Sequence, residues 1–553
     1  MKGFSDIKNL LSAAKNGSEI TLEKGEEYHV FQNDCFALKG YHFSNTASIE
    51  ENPEGYRPAA IFLKDLKNVT VNGNGAKLII HGIMTPFLFD NCENLTFCDL
   101  FIDYARPTMS EFTILKRISN GEYLIKIADF SLFDIKNDRI IWHGEKNEKS
   151  KTGDYFWQID YRDDMTIAMH YDPQTEYVQM MGANGDNRFP SIPEFEKIEN
   201  LGGGLLKVKL KDGNAFFPVG CTVQTRNTVR DQIGGAFIGC KNAICKGLTI
   251  RAMHGLGLLA QLCDGITFDG LDITPAKGRT VASNADFFQV SNCKGEAVIK
   301  NCVCSFGHDD FVNVHGTHLK VIEKNEEKKQ IKVEFVEPHS RGFCPFKRGD
   351  DVDYINKNTL LCYGGAKIEE VKQISDLEFL LTLDRTPEVN TGDVIENATN
   401  TPALTVINNK FGPSTGRGIL CTTRKKIVIK NNVFYKTGGN ALCVEDDCNF
   451  WFESGYVTDL TFENNQIIDC AYGSLGKGNV AVISVNPQVL EKQKPVYVHN
   501  DIVIKNNEFL RLPKESYRIE VKNVLNFTLE NNSTDSPVKV ERESVKNFKE
   551  VWL

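Results

Sequence analysis

Short strands that alternate apolar and polar residues recur with nearly the same text along most of this chain. Each copy ends in Asn, Asp or Gly, residues that tolerate a left-handed turn. The copies lie at 69–74, 95–99, 266–270, 297–301, 404–409, 427–432, 460–465, 502–507 and 527–532. Short strands that repeat about once per coil are typical of a solenoid. The repeated strand sequence therefore predicts an all-β fold, a right-handed parallel β-helix.

A second series of strands falls between the first, so each coil has at least two faces. Its members lie at 87–89, 257–260, 286–289, 310–313, 418–421, 441–444 and 480–483. The Asn-Asn pairs could contact a sugar, but stacked turn asparagines that bond to one another's backbone are the more common arrangement. We therefore expect the pairs to be scaffold.

The period begins after residues 4–14, which predict a short amphipathic helix over the open end of the solenoid. The repeat is interrupted twice. In both places alternating strands with Gly turns predict a small antiparallel barrel or sandwich inserted into the β-helix. The predicted segments are 1–110 (cap and first coils), 111–230 (inserted β domain), 231–318 (central coils), 319–400 (second inserted β domain) and 401–553 (C-terminal coils).

Three aspartates meet on the two central coils. The text DFFQV at 286–290 and DFVNV at 310–314 aligns Asp286 with Asp310, one rung of about 4.8 Å away, with Asp309 beside them. Carboxylates this close have coupled, split pKa values, which suit acid–base work. Glycoside hydrolysis needs such a set, whereas an isolated Asp-Asp pair more often caps a turn. The aligned third aspartate favours catalysis by Asp286, Asp309 and Asp310.

Other polar and aromatic residues near these coils are candidates for binding a sugar, although each is also an ordinary structural or surface residue. The candidates are Arg279, His308, His315, Arg417, Glu445, Trp451 and Glu453. No nucleophile elbow, P-loop or HExxH motif supports acyl transfer, nucleotide hydrolysis or zinc proteolysis.

Composition excludes several classes of partner. A net charge of −9 and a pI near 5.8 give no basic stripe for nucleic acid. No apolar run approaches the roughly 18 residues that a membrane span needs. Most of the 16 cysteines stand in apolar strands, and we expect them to be buried free thiols. Neither a metal nor a cofactor is predicted.

Seven motifs together resemble glycoside hydrolase family 110, the bacterial exo-acting α-1,3-galactosidases, over nearly the whole chain. They are YHFSN at 41–45, RP at 57–58, VNGNGA at 71–76, RPTMSE at 106–111, NAD at 284–286, GHDD at 307–310 and WFESG at 451–455. The resemblance implies an inverting, metal-independent enzyme that removes terminal α-1,3-linked galactose from linear or branched blood-group-B-type glycans.

A more distant resemblance is to the polygalacturonases, which carry an Asn-x-Asp followed by an Asp-Asp pair. That pattern implies Asp309 as general acid, with Asp286 and Asp310 holding and deprotonating water. The family's downstream Arg-Ile-Lys has no match here, which disfavours a uronic acid substrate. An inverting acid and base are separated by about 6.5–9.5 Å, a spacing that we expect on the diagonal from Asp309.

Two alternatives stay open: a β-helix hydrolase or lyase of another glycan, and a non-catalytic carbohydrate-binding β-helix. The aspartate cluster disfavours the second. The lateral sheets of a β-helix either pair in a homo-oligomer or stay exposed, so oligomeric state is open. The N-terminus lacks a secretory signal, which with the free cysteines favours the cytoplasm, while glycan degradation favours export after signal removal.

Overall fold

The computed structural model describes residues 2–162, 166–181, 194–212, 217–473, 480–514 and 518–553. Its main body is a parallel sheet wound through successive coils, and each strand pairs with the strand at the same place in the next coil. Pairing occurs at three places around a coil in the described residues. The expected fold class, a right-handed parallel β-helix with inserted β-domains, is confirmed.

The first face carries the aspartate coils. Its strands are Arg57–Lys64, Thr85–Asp90, Ile233–Ile238, Leu256–Gln261, Phe288–Ser291, Val312–Thr317, Ile419–Cys421, Leu442–Val444, Ile483–Val485 and the start of Arg518–Thr534. Two short strands, Phe36–Leu38 and Glu453–Ser454, pair with this face antiparallel.

The second and third faces complete the coils. Strands of the second face are Glu19–Thr21, Thr70–His81, Thr96–Tyr104, Lys241–Lys246, Asp264–Asp269, Lys294–Lys300, Ala403–Ile407, Ile427–Lys430, Leu460–Glu463 and Ile502–Lys505. Strands of the third face are Lys2–Gly3, Glu27–Phe31, Thr249–Ile250, Asp272–Ile273, Val303–Cys304, Lys410–Phe411, Val433–Tyr435, Gln466–Ile468 and Glu508–Leu510. The long strands Arg518–Thr534 and Lys539–Trp552 pair with each other at the C-terminal end.

The Asn-Asn pairs form a buried ladder between the second and third faces. The rungs are Asn409, Asn432, Asn465, Asn507 and Asn532. The backbone N–H of each donates to Oδ1 of the next, over 2.9 Å from Asn409 to Asn432. The preceding asparagine makes the left-handed turn, as Asn431 does at φ 57°. The predicted scaffold role is confirmed.

A helix, Phe4–Ser12, covers the N-terminal end of the solenoid as predicted. Its buried face of Phe4, Ile7 and Leu11 joins the main core. Asp6 accepts a hydrogen bond from the backbone N–H of Gly3 and so closes the first turn.

The first insertion is an antiparallel sheet packed on a smaller one. The larger sheet has the strands Ser110–Ser119, Glu122–Ile127, Thr166–Asp172, Tyr177–Met180, Phe195–Gly202, Leu205–Leu210 and Thr222–Asn227. The smaller sheet has Leu132–Lys136, Arg139–His143 and Gln158–Asp160. Phe112 and Ile125 of the larger sheet share a core with Trp142 of the smaller.

The second insertion is a closed six-stranded barrel. Its strands are Leu319–Asn325, Gln330–Glu334, Asp351–Ile355, Cys362–Gln373, Glu378–Leu383 and Val394–Asn397. The first barrel strand follows Val312–Thr317 almost directly, so the barrel starts from an aspartate coil. Whether each insertion folds alone is a separate question, and the division into five domains stays a prediction.

All sixteen cysteines are free thiols, and most are buried, as their apolar strands predicted. The part of the chain that the structure describes contains no helix with the length and apolar character needed to cross a bilayer.

Candidate active site

Strand pairing stacks Asp286, Asp310 and Arg417 on successive rungs of the first face. The N–H of Phe287 donates to the carbonyl of Asp310 over 2.9 Å, and that of Phe311 to the carbonyl of Arg417 over 3.0 Å. The N–H of Asp310 also donates to Oδ1 of Asp286 over 3.3 Å. The predicted alignment of the two text copies is confirmed.

Arg417 holds the carboxylate of Asp310, which is 1% exposed. Its Nε lies 3.0 and 2.9 Å from the two carboxylate oxygens, and Nη2 lies 2.7 Å from Oδ2. The backbone N–H of Arg417 adds a bond of 2.7 Å to Oδ1. These charge-assisted contacts fix the orientation of the Asp310 carboxylate.

Asp309 is partly exposed and is held from two sides. Its Oδ2 accepts a hydrogen bond of 2.9 Å from Nη2 of Arg230. Its carbonyl accepts one of 2.8 Å from the hydroxyl of Ser414. Gly416 lies against the same peptide, where a Cβ would stand 2.1 Å from the carbonyl carbon of Asp309. Only glycine at 416 therefore lets the two coils approach this closely.

Burial and charge shift the two stacked carboxyls in the same direction. Burial raises the pKa of Asp286 well above its usual range, and the charges of Asp309 and Asp310 raise it further. Burial also raises the pKa of Asp310 to about 6, although Arg417 opposes the shift. The two carboxyls therefore titrate as a coupled pair.

His308 supports the aspartate loop from behind. Nε of Arg226 donates to His308 Nδ1 over 3.2 Å, and His308 Nε2 donates to Oε1 of Gln224 over 2.9 Å. Burial and the charge of Arg226 lower the pKa of His308 well below its usual range, so the ring is neutral. Arg226 and Gln224 both belong to the inserted strand Thr222–Asn227, so the first insertion braces the coil that carries the aspartates.

Glu453 is held by residues from the N-terminal part and the middle of the chain. Its Oε1 accepts hydrogen bonds from Nδ2 of Asn45 over 2.7 Å and Nδ2 of Asn313 over 3.2 Å. Nε2 of the buried His315 lies 3.6 Å from the same oxygen. His315 donates through Nδ1 to the carbonyl of Gly316 over 2.7 Å, which leaves Nε2 to accept from the side chain of Gln289.

A cavity of about 450 Å³ opens beside the aspartates. Asp310 and Arg417 lie at one end, and Glu445, Trp451 and Glu453 also line it. Glu445 Oε2 is 3.6 Å from Nη1 of Arg417. The structure thus brings four of the predicted sugar-binding residues to one cavity.

A smaller cavity of about 230 Å³ lies next to the first. Asn45, Arg226, Arg230 and His339 line it, together with Trp451, which lines the larger cavity too. Because Arg230 binds Asp309, this aspartate lies near the boundary of the two cavities.

Three predicted sugar-binding residues are engaged inside the protein instead. Nη1 of Arg279 pairs with Asp103 at 2.5 Å, and Nη2 donates to the carbonyl of Tyr104. His308 and His315 are buried in the contacts given above. Their polar groups have internal partners, and the sugar-binding role of these three residues stays a prediction.

Three residues of the site were missed by sequence reasoning. Arg230 stands at the end of the first insertion, where no repeat marks it, and Phe450 was obscured by its neighbour Trp451. Asn45 had a signal, since it closes the YHFSN motif, but its contact with Glu453 crosses 408 residues.

The three aspartates could also ligate a cation, since one oxygen of each lies within 4.8 Å of the others. Two of these carboxylates already pair with guanidinium groups, Asp309 with Arg230 and Asp310 with Arg417. The protein's own cations thus balance most of the charge.

Known proteins share sequence with this chain. The GLAA-B beta-barrel domain II profile matches residues 330–395, within the closed barrel. "Alpha-1,3-galactosidase A" of Bacteroides fragilis strain YCH46 is 33% identical over 480 residues, which cover 85% of this chain and 74% of that protein. The Bacteroides thetaiotaomicron protein of the same name is 30% identical over 98% of this chain and 92% of its own length.

Among solved structures, the family 28 exopolygalacturonase of Yersinia enterocolitica aligns with a TM-score of 0.39 at 11% identity. The alignment covers 98% of this chain and 74% of that one. The sequence identities decide the relationship: the chain belongs to the α-1,3-galactosidase family.

Proposed function

We propose that the chain is an exo-acting α-galactosidase that hydrolyses terminal α-1,3-linked galactose from glycans, as its resemblance to glycoside hydrolase family 110 implies. The names of its relatives support the substrate. The observation that carries the hydrolytic role is the stack of Asp286, Asp310 and Arg417 with Asp309 beside it. Glycoside hydrolysis requires such an acid and base within reach of one bond.

Asp309 is the general acid in this proposal. It is more exposed than the other two aspartates, and it lies near the boundary of the two cavities. Arg230 binds Oδ2, so Oδ1 carries the proton that passes to the leaving glycosidic oxygen.

Asp286 and Asp310 hold the attacking water and take its proton. Arg417 keeps the Asp310 carboxylate charged and oriented, so Asp310 takes the proton of the water, while the raised pKa of the enclosed Asp286 favours its protonated form, which holds the water through a hydrogen bond. The reaction then releases galactose and leaves a hydroxyl on the remaining glycan.

The stereochemical course has its own test. One oxygen from each aspartate lies within 4.8 Å of the others, and the two courses differ in the separation of the acting carboxyl groups, about 6.5–9.5 Å for inversion and about 5–5.5 Å for retention. The inverting course is proposed from the family resemblance. Proton NMR of freshly released galactose decides: β-galactose as first product means inversion, and α-galactose means retention through an aspartate nucleophile.

The substitution Asp309→Asn tests the acid. We expect turnover of a trisaccharide ending in Galα1-3Gal to fall by about 100- to 10,000-fold. Turnover of p-nitrophenyl α-galactoside should fall less, because its leaving group needs little protonation. Circular dichroism and the melting temperature check that the variant is folded.

Asp129→Asn is the matched control, the same change at an exposed carboxylate, and should behave like wild type. Equal losses on both substrates for Asp309→Asn would remove the acid role. No galactose from either substrate with the wild-type protein would reject the galactosidase function.

A further inference from the structure

We infer that the larger cavity is a cleft for the glycan chain that carries the terminal galactose, and that it accepts neutral sugars. This inference rests on the galactosidase function proposed above. Galactose would lie at the aspartate end, and the rest of the chain would extend over the C-terminal coils.

The floor of the cleft is a column of outward side chains on the first face. Strand register aligns Asn313 with Leu420, Cys443, Ser484 and Glu520 on successive coils. The last three residues line the cavity, which has Asp310 at its other end. Four rungs at about 4.8 Å span about 19 Å, longer than a single monosaccharide.

On the N-terminal side of the aspartates, the segment 41–47 covers the first face. The N–H of Ser44 donates to Oε1 of Gln261 over 2.8 Å, which covers a coil before the aspartates. Asn45 bonds Glu453, and the N–H of Thr46 donates to the carbonyl of His339 over 3.2 Å. The segment therefore covers the aspartate end, and the glycan chain continues from there over the C-terminal coils.

Two aromatic side chains form a wall of the cleft. Phe450 is 72% exposed and Trp451 is 40% exposed. Their rings meet edge to face with centroids 5.4 Å apart. An apolar ring this exposed is costly without a partner, and the C–H faces of sugars stack on such rings. Phe450 lines the larger cavity and not the smaller one, so we place it against sugar units beyond the terminal galactose.

Asp447 fixes the aromatic wall although it also lines the cavity. Its carboxylate accepts N–H bonds from four nearby residues, including 3.0 Å from Phe450 and 2.5 Å from Trp451. The other two come from Asn449 and Phe452. We assign Asp447 as a positioning residue, because a preorganised loop binds a chain with a smaller loss of entropy.

Charge indicates the class of glycan. Carboxylates outnumber guanidinium groups among the residues that line the cleft. The charged residues are Asp310, Arg417, Glu445, Glu453, Arg518 and Glu520, in addition to Asp447. An excess of carboxylates repels anionic sugars, so a neutral chain fits better than a sulfated or uronic one.

The test compares Phe450→Ala with Phe31→Ala, a 42%-exposed phenylalanine of the third face. The substrates are the disaccharide Galα1-3Gal and a neutral tetrasaccharide with the same terminal linkage. Phe450→Ala should lower the kcat/KM ratio of tetrasaccharide to disaccharide by about three- to tenfold, through KM. Phe31→Ala should leave that ratio unchanged.

Calorimetry of the galactose-free trisaccharide product binding to the same proteins makes the result independent of hydrolysis. Weaker binding by Phe450→Ala alone supports the cleft, whatever the activity. Unchanged binding together with an unchanged kcat/KM ratio overturns it. Equal cleavage of a sulfated and a neutral tetrasaccharide would overturn the neutral-chain assignment. A wild-type protein that releases no galactose but binds the product would reject only the galactosidase function.

Discussion

At the scale of single residues, Asp310 shows how two large effects are balanced. Removing a carboxylate from water favours its neutral form, whereas the bidentate contact with Arg417 favours the charged form. The first effect exceeds the second, and the pKa of Asp310 is raised to about 6. The residue therefore changes charge within the range where an enzyme operates.

This pKa predicts a pH profile. A water-activating carboxylate must be ionised, so kcat/KM should fall as the pH drops below about 6. Arg417→Met removes the opposing cation, so we expect the acid limb to move to higher pH and activity at pH 6 to fall. Arg251→Met, at an arginine paired with Asp272 away from the cluster, should leave the profile in place. An acid limb that stays fixed in Arg417→Met would exclude Asp310 as its source.

Sequence identified the residues whose position follows from the repeat. Asp286 and Asp310 could be aligned because nearly identical strand sequences fix the register, and the register places their side chains. Arg279, His308 and His315 were also near this line, yet internal partners engage them. Asp103 and Arg226 come from distant segments, and a single sequence contains no signal for such partners.

At the scale of elements, the asparagine ladder explains the Asn-Asn text. The first asparagine takes the left-handed turn, and the second satisfies the buried backbone of the neighbouring coil. Asn432, for example, accepts from Asn409 and donates to the carbonyl of Val406. Each position of the pair therefore has a different physical requirement.

The two positions should respond differently to mutation. Asn432→Ala leaves the N–H of Asn409 buried without its acceptor and removes the side-chain bonds of Asn432 to the carbonyl of Val406 and to Asn465, and a buried group without a partner costs about 1–3 kcal/mol. We expect a loss of about 2–4 kcal/mol in unfolding free energy. Asn431→Ala, at the exposed turn position, should cost about 1 kcal/mol because only the left-handed conformation is disfavoured. Denaturant unfolding measures both, and equal losses would contradict the ladder.

The sequence does not show whether each insertion is an open sandwich or a closed barrel. Alternating apolar positions predict strands with one buried face, and the same pattern serves an open sandwich or a closed barrel. Closure of the second insertion depends on pairing of Leu319–Asn325 with Val394–Asn397, far apart in the chain. The local sequence of either strand does not indicate that the two strands pair.

At the scale of the whole molecule, buried polar contacts join the first insertion to the β-helix. Glu111 begins the inserted sheet, and its carboxylate accepts bonds of 2.8 and 2.9 Å from the N–H and hydroxyl of Thr280. Nε2 of Gln224 donates to the same hydroxyl, and Gln224 also holds His308. The junction thus connects the fold's stability to the support of the active site.

Burial raises the pKa of Glu111 from 4.5 to about 7, although Thr280 opposes the shift. Between these values the folded protein holds a proton that the unfolded chain releases, so the free energy of unfolding falls as the pH rises through this window. Glu111→Gln cannot ionise. Relative to wild type, it should gain stability from pH 4.5 to 8, by roughly 2–3 kcal/mol.

Thermal and denaturant unfolding of wild type and Glu111→Gln across this pH range measure the difference. Glu199→Gln is the control, at an exposed position of the same inserted sheet, and its stability should follow that of wild type at every pH. Parallel curves for Glu111→Gln and wild type would mean that the folded protein keeps Glu111 ionised. The carboxylate would then be stabilised by its two bonds to Thr280 strongly enough to offset its burial, and the junction would hold a charge where we expect a proton.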